Sequence, residues 1–216
     1  MFENLTVQQK EEKFARLLDY ANKINNKKLH SACLRILNDY KSDILCRSAG
    51  HDGIEGIPAG VRTHQNFDGG LVDHILNVVT HSYNMAMVYR DAVDVDLVLF
   101  GAILHDIGKV KIFDQWNEKG KVKGNLNYSY LLVDHCYLGQ QICEKYLDEE
   151  QVEEKLKYQA LHIIATHMDT MEKHMAESYI VSYADSVDAD VLNCISYPRN
   201  AINPITKNYI YKSDNQ

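Results

Sequence analysis

The run Leu97-Val98-Leu99-Phe100-Gly101-Ala102-Ile103-Leu104 is apolar almost all round when wound as a helix. Such a helix has no polar face for solvent, so the other elements of the fold must surround it. It also ends on His105-Asp106, a pair of side chains that can both reach one metal centre. Asp94 or Asp96 can cap its start, and Gly108 is placed to stop it.

The rest of the chain supplies helices to do the surrounding, with no long alternating run to compete. Thr6 and Gln9 have the form of a capping box, and Phe14, Leu17, Leu18 and Ala21 then share a face, predicting a first helix to about Ile24. After Asn25-Asn26, the residues Leu29, Cys33, Ile36, Leu37 and Tyr40 repeat the pattern as far as Ser48-Ala49-Gly50. Residues 1–50 thus read as a helical hairpin packed on the core. From His51 to Gly70 the chain is rich in Gly and contains Pro58, which predicts a structured loop whose length points to function. Leu71 to about Arg90 suits a largely buried helix carrying His74 in its first turn. Further helices are expected over Leu131–Leu147 with His135, Val152–Met168 with His167 at its end, and Ser178–Leu192 with Asp185. Between them, the polar segment Lys111–Asn127 holds an Asn117-Glu118-Lys119-Gly120 turn suited to a short β-hairpin. The predicted architecture is all-α: a single bundle whose main domain covers 51–195, followed by an irregular segment over 196–216. Its Tyr209-Ile210-Tyr211 end can fold back over the domain or extend from it.

At 216 residues the chain can fill one core. A formal charge of −7 weighs against a broad basic surface for long nucleic acids, because phosphate chains are bound by Lys and Arg displacing counterions. The N-terminus lacks the basic and apolar regions of a secretory signal, no membrane span is apparent, and the expectation is a cytoplasmic protein. The five cysteines are odd in number and form no Cys-x-x-Cys pair, so they read as buried free thiols.

His74, His105-Asp106, His135, His167 and Asp185 lie on five separate segments and together form a ligand set. For any one histidine, a core or surface role is the commoner reading; the ordered set reverses those odds. Imidazoles mixed with carboxylates suit manganese, iron, zinc, cobalt or nickel better than calcium. In this scheme His74, His105, Asp106 and Asp185 hold one ion, Asp106 bridges, and His135 and His167 hold a second. Two ions about 3.5–4 Å apart can acidify a water and neutralise phosphoryl charge. His162 precedes His167 by five residues, roughly 140° around the helix, and is read as a supporting or packing residue. Asp188 is read as a buried hydrogen-bond partner or helix contact. Lys109 can reach a phosphate oxygen or serve as a solvated helix-end lysine, and spacing does not separate the two. In the loop before His74, Arg62 can clamp a phosphate and His64 can protonate a leaving oxygen.

These residues resemble the HD-domain superfamily of metal-dependent phosphohydrolases, whose ordered His, His-Asp, His, His and Asp are matched by the six positions above over roughly residues 55–190. Pro58-Ala59, His64, Gly69-Gly70-Leu71, Leu104 to Lys109, His135 with Gly139, and Tyr183 to Ala189 look most like the HD domain of bacterial 3′-to-5′ exoribonucleases. That resemblance implies an all-helical core, metal-dependent phosphodiesterase chemistry and Lys109 near the substrate phosphate. Those enzymes carry a nucleic-acid-binding OB-type module before the HD domain, where residues 1–50 here read as helices. Met168 stands where the family often has a second His, and no Gly-Tyr-Pro follows Asp169, unlike the cyclic-di-GMP-degrading branch. The expected substrate is therefore a nucleotide, dinucleotide or short oligonucleotide, bound with one or two divalent transition-metal ions. The alternatives are a 3′-to-5′ exoribonuclease on longer RNA, a di-iron oxygenase on the same scaffold, and a nucleotide-binding regulator without turnover. The N-terminal helices suit a homodimer as well as an intramolecular core.

Overall fold

The computed structural model describes residues 4–49, 65, 67–112, 133–168 and 172–196. Helix α1 (Val7–Ala21) starts at the expected capping box: the Gln9 N–H donates to the Thr6 hydroxyl and the Thr6 N–H to the Gln9 side chain. Helix α2 (Lys27–Asp39) is capped by Asn26, whose side-chain oxygen accepts from the Lys28 and Leu29 N–H groups. The pattern expected to run to Ser48 breaks at Tyr40 and resumes as the short α3 (Lys41–Leu45). Helix α4 (Gly70–Val88) follows Gly69, whose φ of +86° is a left-handed conformation that glycine adopts without a Cβ penalty.

The apolar run forms α5 (Val95–Leu104), and every residue from Leu97 to Leu104 is buried. Asp94 is its cap, accepting from the Asp96 and Leu97 N–H groups. Asp96 instead accepts from the Asn25 and Asn26 N–H groups, tying the start of α5 to the turn before α2. The short α6 (Lys109–Ile112), α7 (His135–Glu149), α8 (Glu154–Thr166) and α9 (Ala176–Ser196) complete the described elements. Helix α5 packs against α1, α2, α4, α8 and α9, so it is the central helix that its composition requires. Helix α1 lies chiefly against α4, while α2 lies against α5 and α7.

The described residues are helical or irregular, with no strand among them. Lys111 and Ile112, at the start of the expected hairpin, belong to α6; residues 113–127 lie outside the described residues. Helix α9 continues past Leu192 to Ser196, and the Tyr209-Ile210-Tyr211 end also lies outside them. Among the described residues, no helix is long and apolar enough to cross a membrane.

Gly108 has a different role from the helix stop expected of it. Among the described glycines only Gly69 has a positive φ. At Gly108 a Cβ would come within 1.9 Å of the His135 carbonyl oxygen and 2.7 Å of the Gly139 nitrogen. The turn between α5 and α6 is pressed directly onto the start of α7, and this close approach requires glycine. Cys33, Cys136 and Cys143 are buried free thiols, as expected, whereas Cys46 is only partly buried.

Candidate metal centre

The ends of three helices and the flanks of two converge at this turn. His105 and Asp106 leave the C-terminus of α5, His167 caps α8, His135 begins α7, and α4 and α9 contribute His74 and Asp185. His74, His105, Asp106 and His167 are essentially inaccessible, with relative exposures of 0%, 0%, 1% and 1%. The side chains of His135, Asp185 and Lys109 keep 16%, 13% and 13%, so solvent reaches the cluster from their side.

Each imidazole has its Nδ1 held by an acceptor. His105 Nδ1 donates to the Ala102 carbonyl at 2.8 Å and His167 Nδ1 to the Ile164 carbonyl at 2.7 Å. His74 Nδ1 faces Asp188 Oδ2 at 2.8 Å, and His135 Nδ1 faces Asp134 Oδ1 at 2.9 Å. Placing the proton on Nδ1 leaves each Nε2 as an inward-facing lone pair, the form in which histidine binds metals. The Nε2 atoms of His74 and His105 lie 3.2 Å apart, as do those of His135 and His167. Two such lone pairs repel unless a cation lies between them. Nitrogens about 2.1 Å from a shared ion, at tetrahedral or octahedral angles, lie roughly 3.0–3.4 Å apart.

Asp106 divides its oxygens between the two pairs. Its Oδ2 lies 3.3 Å from His74 Nε2 and 3.5 Å from His105 Nε2. Its Oδ1 lies 3.4 Å from His135 Nε2 and 3.7 Å from His167 Nε2. Asp185 Oδ1 completes the first group, 3.0 Å from His74 Nε2. Lys109 Nζ lies 2.5 Å from Asp106 Oδ2, although that buried oxygen accepts no well-aligned hydrogen bond. The lysine therefore reaches into the cluster and is not the fully solvated helix-end cation that spacing allowed.

The electrostatics require positive charge here. Burial pushes the Asp106 carboxyl upward, but the Lys109 charge, then His105 and His167, hold it well below the usual carboxylate range. Burial likewise opposes ionisation of Asp185, and its hydrogen bond with His74 together with the charges of His74 and His105 outweighs that penalty. Burial lowers the His74 value, yet the neighbouring carboxylates of Asp106, Asp185 and Asp188 raise it well above normal. Shared ions would satisfy the same carboxylates while leaving the imidazoles neutral, so the donor set fits a metal centre.

His162 lies outside the two groups able to hold metal: its ring stacks on His174 at 5.6 Å, and its Nε2 accepts from the His174 N–H. Asp188 is the hydrogen-bond partner expected of it. Replacing Asp188 with alanine should leave the fold intact but weaken metal binding about 10–100-fold, because His74 loses the acceptor that orients it. Titration calorimetry with a divalent transition metal checks this, and unchanged affinity would remove Asp188 from the centre. Arg62 and His64 lie outside the described residues.

Two residues escaped the sequence reading. Asp134 caps α7 by accepting from the Cys136 N–H and also holds His135. Cys136 joins His135 and His167 in a second group able to hold metal. Placing His135 inside a helix over Leu131–Leu147 hid both. The available signal was Asp134 as a helix cap, which puts residues 135 and 136 in the opening turn.

A model of the HD domain matches residues 71–190, more than half of the chain. The chain belongs to the HD-domain family, the class of metal-dependent phosphohydrolases that its ordered motif resembles. It is 28% identical over 218 residues to the dihydroneopterin 2′,3′-cyclic phosphate phosphodiesterase of Methanocaldococcus jannaschii, covering 93% of this chain and 80% of that protein. The 3′-5′ exoribonucleases YhaM of Bacillus licheniformis and Bacillus subtilis are 27% and 28% identical over 62% and 61% of the chain. The matched regions span only 43% and 42% of those exoribonucleases. No solved structure matches significantly.

Proposed function

We propose that this chain hydrolyses a phosphodiester bond in a small nucleotide-type molecule. His74, His105 and Asp185 would hold one divalent transition ion, His135 and His167 a second, and Asp106 would serve both. The observation that carries this reading is the division of one buried carboxylate between two histidine pairs, each 3.2 Å apart. Manganese, iron, zinc, cobalt and nickel all accept such donors. Bound by these residues, such ions would supply the charge that acidifies a water and offsets that of the phosphoryl group.

The chain's own groups bind and orient the substrate. Lys109 sits beside Asp106 on the solvent-reached side, where its ammonium can contact a phosphate oxygen. Arg62 is assigned to clamp the phosphate and His64 to protonate the leaving oxygen. Substrate size follows from two observations. The relative aligned over 93% of this chain is a phosphodiesterase of a cyclic phosphate, whereas the exoribonucleases align over less than half of their own length. The charge of −7 also disfavours a long polyanion.

A screen of 2′,3′-cyclic phosphates, linear dinucleotides and longer RNA, with each metal and under strict anaerobiosis, tests the reading. The expected result is turnover of a cyclic or short phosphodiester without oxygen. Preferential degradation of long RNA would favour the exoribonuclease. Oxygen uptake by the iron-loaded protein, with no anaerobic hydrolysis, would favour the di-iron oxygenase.

A further inference from the structure

Cys136 has no part in the hydrolytic reading, yet its sulfur faces the half of the centre formed by His135 and His167. Sγ lies 3.7 Å from His135 Nε2 and, over the His167 ring, 3.8 Å from its Nδ1 and 4.0 Å from its Nε2. Nitrogen and sulfur bonded to one tetrahedral ion at about 2.0 and 2.3 Å lie roughly 3.5 Å apart, so a small turn of the Cys136 side chain off the His167 ring face brings the sulfur to that separation from both Nε2 atoms. The two Nε2 atoms, 3.2 Å apart, and Asp106 Oδ1, 3.4 and 3.7 Å from them, fall in the same range. Cys136 Sγ and the two imidazoles thus form one group able to hold an ion, with Asp106 Oδ1 beside the two nitrogens. The thiol is free, and the residue is only 5% exposed.

The other half differs in kind. His74, His105 and Asp185 offer nitrogen and oxygen alone. The centre therefore joins an all-nitrogen-and-oxygen group to a group containing sulfur, with Asp106 between them. Thiolate favours borderline and soft ions such as zinc and ferrous iron, while manganese and magnesium prefer oxygen.

Building on the metal-centre reading above, we infer that Cys136 is a protein ligand of the second ion and makes that position selective for zinc or ferrous iron over manganese. Binding replaces the S–H bond with a sulfur–metal bond, the proton leaves to solvent, and no electron is transferred. An ion that expands to five ligands retains a position for water.

Cobalt(II) loading of the full chain tests this spectroscopically. The expected result is two equivalents bound, with a thiolate-to-cobalt charge-transfer band that disappears in Cys136→Ser. In zinc–manganese competition, the same substitution should reduce the zinc preference of one of the two positions by about 10–100-fold. Two equivalents without the band, or unchanged competition in Cys136→Ser, would overturn the role of Cys136 and leave the two-metal reading standing. One equivalent with the band would support the sulfur ligand but remove the two-metal reading. One equivalent without it would overturn both. The wild-type spectrum keeps the inference falsifiable even if the variant fails to fold.

Discussion

Asp106→Ala is expected to deplete both metal positions at once. One oxygen faces His74 and His105 and the other faces His135 and His167, so removing the carboxylate takes a ligand from each ion. It also leaves the Lys109 ammonium, now 2.5 Å from that carboxylate, repelling any cation nearby. A supporting hydrogen bond is worth about 10–100-fold in metal affinity, and a shared ligand should exceed that, with turnover falling on the order of 10³-fold or more. Metal analysis after gel filtration, with circular dichroism as a fold control, gives the readout. Full retention of two ions would defeat the bridging role. Retention of one would show that Asp106 belongs to a single position.

Gly108→Ala should be nearly as damaging, although the side chain is only a methyl group. Its Cβ would lie 1.9 Å from the His135 carbonyl oxygen and 2.7 Å from the Gly139 nitrogen, both backbone atoms that cannot rotate away. The start of α7 must retreat, carrying His135 away from Asp106. Overpacking commonly costs about 1–3 kcal/mol, and rigid backbone on one side places this case at or above the upper end. The expected results are a melting temperature lower by about 5 °C or more and selective weakening of the ion held by His135. A variant that melts like wild type and binds both ions normally would show that the turn has room to adjust.

The ligand candidates were legible because each has a strong local context. His105-Asp106 ends a run too apolar to lie on a surface, and Gly69-Gly70 introduces the helix that carries His74. The capping box at Thr6 and the buried run of α5 were equally visible, because caps and apolar periodicity are local properties of sequence. Less local features were misread. Gly108 resembled a helix stop, but the constraint on it comes from His135, a residue remote in sequence. Cys136 is the buried free thiol expected of it, but its contact with His167 was not legible, because that contact depends on how α7 meets α8.

By itself, the sequence determined an all-helical chain with a buried central helix and an ordered set of histidines and aspartates suited to metal. Those conclusions depend on hydrophobic periodicity and residue chemistry, which operate over a few helical turns. Tertiary structure decided the geometry of the expected pairing: the 3.2 Å between the nitrogens of each pair, which oxygen of Asp106 faces each pair, and that a thiol lies beside one pair only. Such distances depend on the packing of α4, α5, α7, α8 and α9 around one glycine turn, and residue spacing along the chain carries no record of where separate helices meet.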